Sequence, residues 1–355
     1  MRICTKRWLF RDVIGTLTGV WKTYAFGCAP QLASSMNKRF LLVLLLLIAP
    51  LARAAEPIAI GVSKNILSLP VVVAHEMGFF KKHQVNVRLH DCVTGSKCLA
   101  GMLEGQSDLA TATELPVVLQ SFKRQDFAIV ATFVTTSNDM KILARKTAGI
   151  HAPSDLLGKR VAYVQGTASQ YFLDTVLVYS GIDPQRVNRQ PMQVDEVVKA
   201  MQQGQLDAVC LWEPYVSLIE AHDEPAFQLL PVPRLYIETF NLIASQRTLE
   251  NRPQDIQRIL MALKEGIQFI ENSPESAISL LVKRLNVPSA VIERVWGDYR
   301  FRLSLGKFLP RTMDGQARWA LRAGHAPRNA RQPNALDLLD TRFLLAVDPQ
   351  SVTIP

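Results

Sequence analysis

The chain has 355 residues, 48% hydrophobic and 20% charged, long enough for two α/β domains with sizeable cores. Its formal charge of +9 comes mostly from the first 54 residues, which hold eight Lys and Arg against Asp12 alone. The remainder carries 32 basic and 30 acidic side chains, a formal +2, and gives no electrostatic argument for a nucleic-acid partner.

The first recognisable element is a secretory signal at residues 36–54. Met36, Asn37, Lys38 and Arg39 form a short basic start, residues 40–48 are continuously apolar, and Ala52 and Ala54 are small where a signal peptidase reads. Cleavage is expected after Ala54. The apolar run is too short for a stable membrane span, and no cysteine follows it to take a lipid. The expected product is soluble and exported. Residues 1–35 are basic and aromatic, carry Cys4 and Cys28, and fit no part of that plan; they read as an upstream extension, with translation starting at Met36.

Beyond the signal, short apolar runs alternate with helical patterns. The runs lie at 58–62, 85–89, 109–112, 129–134, 142–144, 160–164 and 208–211. This alternation predicts an α/β fold with parallel sheets and crossover helices. Thr167, Ala168, Ser169 and Gln170 read as a capping box opening a helix that stops at Gly181. Residues 253–271 predict a long amphipathic helix with Ile256, Ile259, Leu260, Leu263, Ile267 and Ile270 inward. A further helix runs from Pro274 to Leu285, with Ile278, Leu281 and Val282 inward, and the C-terminal part reads as helical.

Two echoes run through this pattern. Gly105, Asp108 and Glu114 recur 99 residues later as Gly204, Asp207 and Glu213. Residues 58 and 78 likewise correspond to 161 and 181, at an offset of 103. Each copy of the first echo reads as a helix end, a glycine stop, a short apolar strand, a glutamate and a helix-opening proline. Repeated units of this kind predict two similar lobes, with the division near Lys141–Lys146 and Thr239–Ser245. One lobe then comprises 56–143 and 241–355, the other 144–240.

Absent motifs exclude several activities. The six histidines make no HExxH or other metal spacing, there is no GxSxG elbow, and neither GxGxxG nor GxxxxGK[ST] occurs. No metal, cofactor or catalytic residue is expected.

What remains is a set of polar loops after strands, where α/β sheets bind ligands. Gly166, Thr167, Ala168 and Ser169 open a helix whose free N–H groups and dipole suit an anion. Ser63 and Asn65 stand at the corresponding place in the first half, and Ser137 and Asn138 follow another strand. Thr94, Gly95 and Ser96 either face the same cleft or cap their own helix. Thr113 and Glu114, and Trp212 and Glu213, end strands just before helices. Each glutamate is suited either to capping free N–H groups or to accepting a ligand amino group; Trp212 and Tyr215 either wall a ligand or pack in a core. Cys92 and Cys98 bracket a five-residue loop that a disulfide could close, and Cys210 reads as a buried thiol.

Four segments together resemble the nitrate/sulfonate/taurine-type periplasmic substrate-binding proteins of bacterial ABC importers. They are PVVVAHEMGFF at 70–80, GQSDLATATELP at 105–116, DLLGKRVAYVQGT at 155–167 and GQLDAVCLWEPY at 204–215. The resemblance covers roughly residues 56–350 and implies a type II periplasmic binding protein: two α/β lobes joined by hinge strands, with the ligand cleft between them. It implies a monomer that docks on an inner-membrane ABC permease served by an ATPase. Members bind nitrate, bicarbonate, alkyl sulfonates, taurine or thiamine-precursor pyrimidines. The pyrimidine branch includes synthases with a cysteine-rich motif, which this chain lacks. The expectation is therefore a binder of a small anionic or zwitterionic solute, not an enzyme, with a pyrimidine-binding protein or an enzyme on the same fold as the alternative.

Overall fold

The computed structural model describes residues 56–354; the expected signal, its cleavage point at Ala54 and the stretch 1–35 lie outside them. The strands, in chain order, are β1 (Ile58–Ser63), β2 (Val87–Cys92), β3 (Leu109–Thr113), β4 (Phe127–Thr136), β5 (Lys141–Arg145), β6 (Arg160–Tyr163), β7 (Asn188–Pro191), β8 (Ala208–Leu211), β9 (Phe227–Leu229), β10 (Glu238–Ser245) and β11 (Tyr299–Ser304). They form two sheets, one ordered β11-β4-β10-β3-β1-β2 and the other β7-β6-β8-β5-β9.

The two sheets share one plan. The order β2-β1-β3-β10-β4 in the first lobe matches β7-β6-β8-β5-β9 in the second. The echo in the sequence is the local chemistry of that plan. Asp108 N–H donates to the Ala59 carbonyl at 2.9 Å, and its carboxylate accepts from Ala59 N–H at 2.8 Å. Asp207 repeats both bonds on Arg160, at 3.0 and 2.8 Å. Each aspartate ties the start of a parallel strand to its neighbour. The glycines before them, Gly105 and Gly204, have φ of +83° and +78°, a left-handed turn costly for a residue with a Cβ.

The expectation of parallel sheets needs correction. β1 is parallel to β2 and β3, and β6 to β7 and β8. β10, β4 and β11, and β5 and β9, join antiparallel. β5 and β10 enter their sheets directly from the opposite lobe, with no crossover helix to carry the chain back to the starting end, so they run the other way. The chain passes between sheets at residues 137–140, between β4 and β5, and returns at 230–237, between β9 and β10. The stretches marked in the sequence as connectors, around Lys141–Lys146 and Thr239–Ser245, are strands within the sheets, next to these passages.

Each lobe has its own core. In the first, the helix Pro253–Asn272 buries all six residues expected to face inward, from Ile256 to Ile270. Pro274–Leu285 buries Leu281 and packs half-buried Ile278 and Val282 on the same core. The C-terminal part is not wholly helical: Tyr299–Ser304 adds β11 to the edge of the first sheet.

Candidate functional site: a cavity between the lobes

Loops at the carboxyl ends of strands from both sheets line a narrow cavity. The first lobe contributes Asn65 and Leu67 after β1, Thr94, Gly95 and Ser96 after β2, Thr113 and Pro116 after β3, and Glu238 and Phe240 from β10. The second lobe contributes Thr167, Ala168 and Trp212, and the passage between sheets contributes Asp139 and Met140.

Two helix N-termini, one per lobe, reach the cavity. In the first lobe Thr94 caps the helix Gly95–Leu103, its hydroxyl accepting from Lys97 N–H at 3.3 Å. In the second, the expected capping box does not form. The Thr167 hydroxyl turns back to donate to the Val164 carbonyl at 2.7 Å, and the Gln170 side chain accepts from Gly166 N–H at 2.8 Å. The helix Ala168–Tyr179 therefore starts without a side-chain cap. Its first N–H groups, with those of Gly95 and Ser96, form a donor-rich end suited to an anion. The lobes touch here: Ser96 Oγ donates to the Gly166 carbonyl at 2.6 Å, and Gly166 holds φ of +71°.

The other polar feature is acidic. Asp139 and Glu238 are each 2% exposed. Asp139 Oδ1 accepts from the Tyr299 hydroxyl at 2.5 Å; Asp139 Oδ2 and both Glu238 carboxyl oxygens have no partner of good hydrogen-bond geometry among the described residues, although the Glu213 N–H lies close enough to Asp139 to lower its pKa. Burial pushes the Asp139 carboxyl up to about 7, against the opposing pull of the Tyr299 hydrogen bond and the Lys141 charge. Glu238 is pushed well above the usual carboxylate range by burial, and then by the charges of Asp139 and Glu114.

Eight residues singled out in the sequence line the cavity: Asn65, Thr94, Gly95, Ser96, Thr113, Thr167, Ala168 and Trp212. The others do not. Gly166 and Ser169 stand one residue away and serve the loop; Ser169 Oγ donates to the Cys210 carbonyl at 2.7 Å. Ser63 is buried, and its carbonyl accepts from the Ser68 hydroxyl at 2.6 Å. The Ser137 hydroxyl accepts from Arg234 at 3.5 Å, and the Asn138 amide donates to Asp298 at 2.9 Å, both away from the cavity.

The two glutamates take the capping and packing role. Glu114 is fully buried and accepts from the Tyr236 hydroxyl, Thr239 N–H (3.0 Å), the Thr239 hydroxyl (2.7 Å) and the Gln316 amide (2.8 Å). Burial raises its pKa, and the hydrogen bonds from Tyr236 and Thr239 oppose that rise. Glu213 accepts from Ser217 N–H at 3.1 Å at the start of the helix Tyr215–His222, and its other oxygen pairs with Lys141 at 3.0 Å. Glu114 has four donors, Glu213 a backbone N–H and a lysine, and neither side chain lines the cavity.

Cys92 and Cys98 are joined by a disulfide, with Cα atoms 5.4 Å apart. The loop it closes carries Thr94, Gly95 and Ser96. Cys210 is a buried free thiol whose pKa is raised by burial.

Two α/β lobes on one sheet plan, joined by two passages and enclosing a cavity, define a type II periplasmic-binding-protein fold. The alkanesulfonate-binding protein SsuA from Xanthomonas axonopodis pv. citri, solved with MOPS bound, superposes with a TM-score of 0.70 at 21% identity, over 79% of this chain and 99% of that one. The chain belongs to the NMT1/THI5-like family, whose model matches residues 65–277. A curated relative in Escherichia coli (strain K12), named for binding aliphatic sulfonates, is 23% identical over 238 residues, 67% of this chain and 74% of its own length. The taurine-binding periplasmic protein of the same organism is 24% identical over 180 residues, 50% of this chain and 55% of its own.

Proposed function

We propose that this chain is the exported, periplasmic solute-binding component of an ABC importer. It takes a small organic solute with an anionic end, of the sulfonate or taurine kind, into the cleft between its lobes and presents the closed form to a membrane permease served by an ATPase. The observation that carries this reading is the convergence of two helix N-termini, at Gly95 and Ala168, from opposite lobes on one cavity. A solute touching only one lobe has no preference for the closed form; one bridging both binds it better and shifts the population toward it. The relatives named above support a binding role rather than a catalytic one.

Titration calorimetry and small-angle scattering test this on the protein purified from the periplasm. Taurine, short alkanesulfonates, nitrate and aminopyrimidines form the panel. At least one is expected to bind with micromolar or tighter affinity and to reduce the radius of gyration. A protein that binds none of them and keeps one scattering profile throughout contradicts the proposal.

A further inference from the structure

The cavity lining combines two chemically opposite features, helix N-termini rich in N–H donors and a buried pair of carboxyls. Asp139 stands on the passage out of the first sheet, and Glu238 opens β10 at the end of the return passage. The sheet brings them together: Thr136 pairs with Glu238 on one side and with Tyr299 on the other, and Tyr299 bonds Asp139. Both side chains line the cavity, both are almost wholly buried, and three of their four carboxyl oxygens lack a partner of good hydrogen-bond geometry among the described residues.

Buried acceptors are normally satisfied, and unsatisfied ones need an explanation. The nearby cation does not supply it, because Lys141 pairs with Glu213 and donates to the Asn138 carbonyl. A plain anion does not supply it either, since it brings no hydrogen-bond donor to these acceptors. An ammonium group would: it offers three N–H donors and one positive charge, against three unpartnered oxygens.

We propose that Asp139 and Glu238 form the recognition site for an ammonium or other protonated amino group of the solute, so that the cleft selects amino-bearing solutes over their deaminated counterparts. This rests on the cleft being the solute site. The solute class is then a small zwitterion. Its anionic group meets the helix N-termini at Gly95 and Ala168, its short apolar part lies against Leu67, Met140, Trp212 and Phe240, and its amino group lies at the carboxyl pair.

The test is calorimetry with matched probes differing only in the amino group: taurine against ethanesulfonate, β-alanine against propionate, and 4-aminopyrimidine against pyrimidine. In the unaltered protein at pH 8 the amino member of at least one pair is expected to bind tenfold or more tightly than its partner. Glu238→Gln and Asp139→Asn, which keep the shape and remove the ionisable group, are expected to bring that pair within threefold. A deaminated member binding equally or better in every pair that binds overturns the inference while leaving the binding function standing, as does an amino preference that persists in both variants. Failure of all six probes to bind overturns the proposed function, and the inference with it. If either variant does not fold, the comparison within pairs on the unaltered protein still decides.

Discussion

The Ser96 hydroxyl, at the start of a first-lobe helix, donates to the carbonyl of Gly166 in the second lobe, 70 residues along the chain, at 2.6 Å. This bond joins the two lobes beside the cavity that Ser96 helps to line. A hydrogen bond of this kind contributes about 0.5–1.5 kcal/mol. Ser96→Ala is expected to shift the unliganded protein toward the open form and to weaken solute binding by roughly three- to tenfold, with the folding midpoint nearly unchanged. Scattering on the free protein and calorimetry with the tightest-binding panel solute measure the two effects; tighter binding would contradict them.

Glu114 has a different role. It joins the helix Glu114–Ser121 to the return passage at Tyr236, to β10 at Thr239 and to the helix Phe308–Arg322 at Gln316. Glu114→Ala strands those donors, at about 1–3 kcal/mol for each that stays unsatisfied. The expected outcome in urea denaturation is a loss of several kcal/mol, while the folded fraction keeps its preference between matched probes. A variant of normal stability with altered selectivity would return Glu114 to the binding site.

Much of the fold was legible in the sequence, because the echo recorded an obligation of the backbone. A left-handed glycine and an aspartate tying a strand start recur where the chain enters β3 and β8, and Gly105 and Asp108 repeat as Gly204 and Asp207 with the same bonds. The glutamates beside them were ambiguous for the same reason: a carboxylate between strand and helix reads alike whether it caps N–H groups or faces a ligand. Glu213 caps and Glu114 packs. The acidic pair in the cavity lining left no local signal. Asp139 and Glu238 are 99 positions apart and meet only because both passages between sheets run side by side. β11 was missed because its alternation of Tyr299, Phe301 and Leu303 with Arg300 and Arg302 is short and acquires meaning only by pairing with β4.

The acidic pair also predicts how pH acts. The Asp139 carboxyl lies up at about 7 in the folded protein, against an ordinary value of 3.8, and Glu238 is displaced in the same direction. Tyr299, Lys141, Glu213 and Glu114 are the other titratable groups acting on the pair. Between those values the native state binds more protons than the unfolded state. The contribution of this pair to the stability of the unliganded protein is therefore greatest at the acidic side and falls as pH rises from about 4 to about 7, at no more than about 1.4 kcal/mol per pH unit for one proton. Affinity for an ammonium solute runs the opposite way, rising as Asp139 ionises toward pH 7 and above. Denaturation at several pH values, with Asp139→Asn flattening the slope, checks the first statement; calorimetry on taurine at pH 5 and pH 8 checks the second.

The disulfide supports the helix start at Gly95. Replacing Cys92 and Cys98 together by serine releases the short loop that positions Gly95 and Ser96. A ring this small contributes about 2 kcal/mol through the unfolded chain. A stability loss of that order is expected, with weaker solute binding that reduction of the unaltered protein reproduces. Binding unaffected by either treatment would show that the helix start is held by its packing alone.

The most direct measurement is the electron density in the interlobe cavity of crystals grown from protein exported and purified without refolding, then soaked or co-crystallised with the best-binding zwitterion. The account predicts one small solute enclosed between the lobes, its anionic group against the N–H groups near Gly95 and Ala168 and its amino group within hydrogen-bond distance of Asp139 and Glu238. A solute bound elsewhere, or lying the other way round with its anionic group on the two carboxyls, would contradict it.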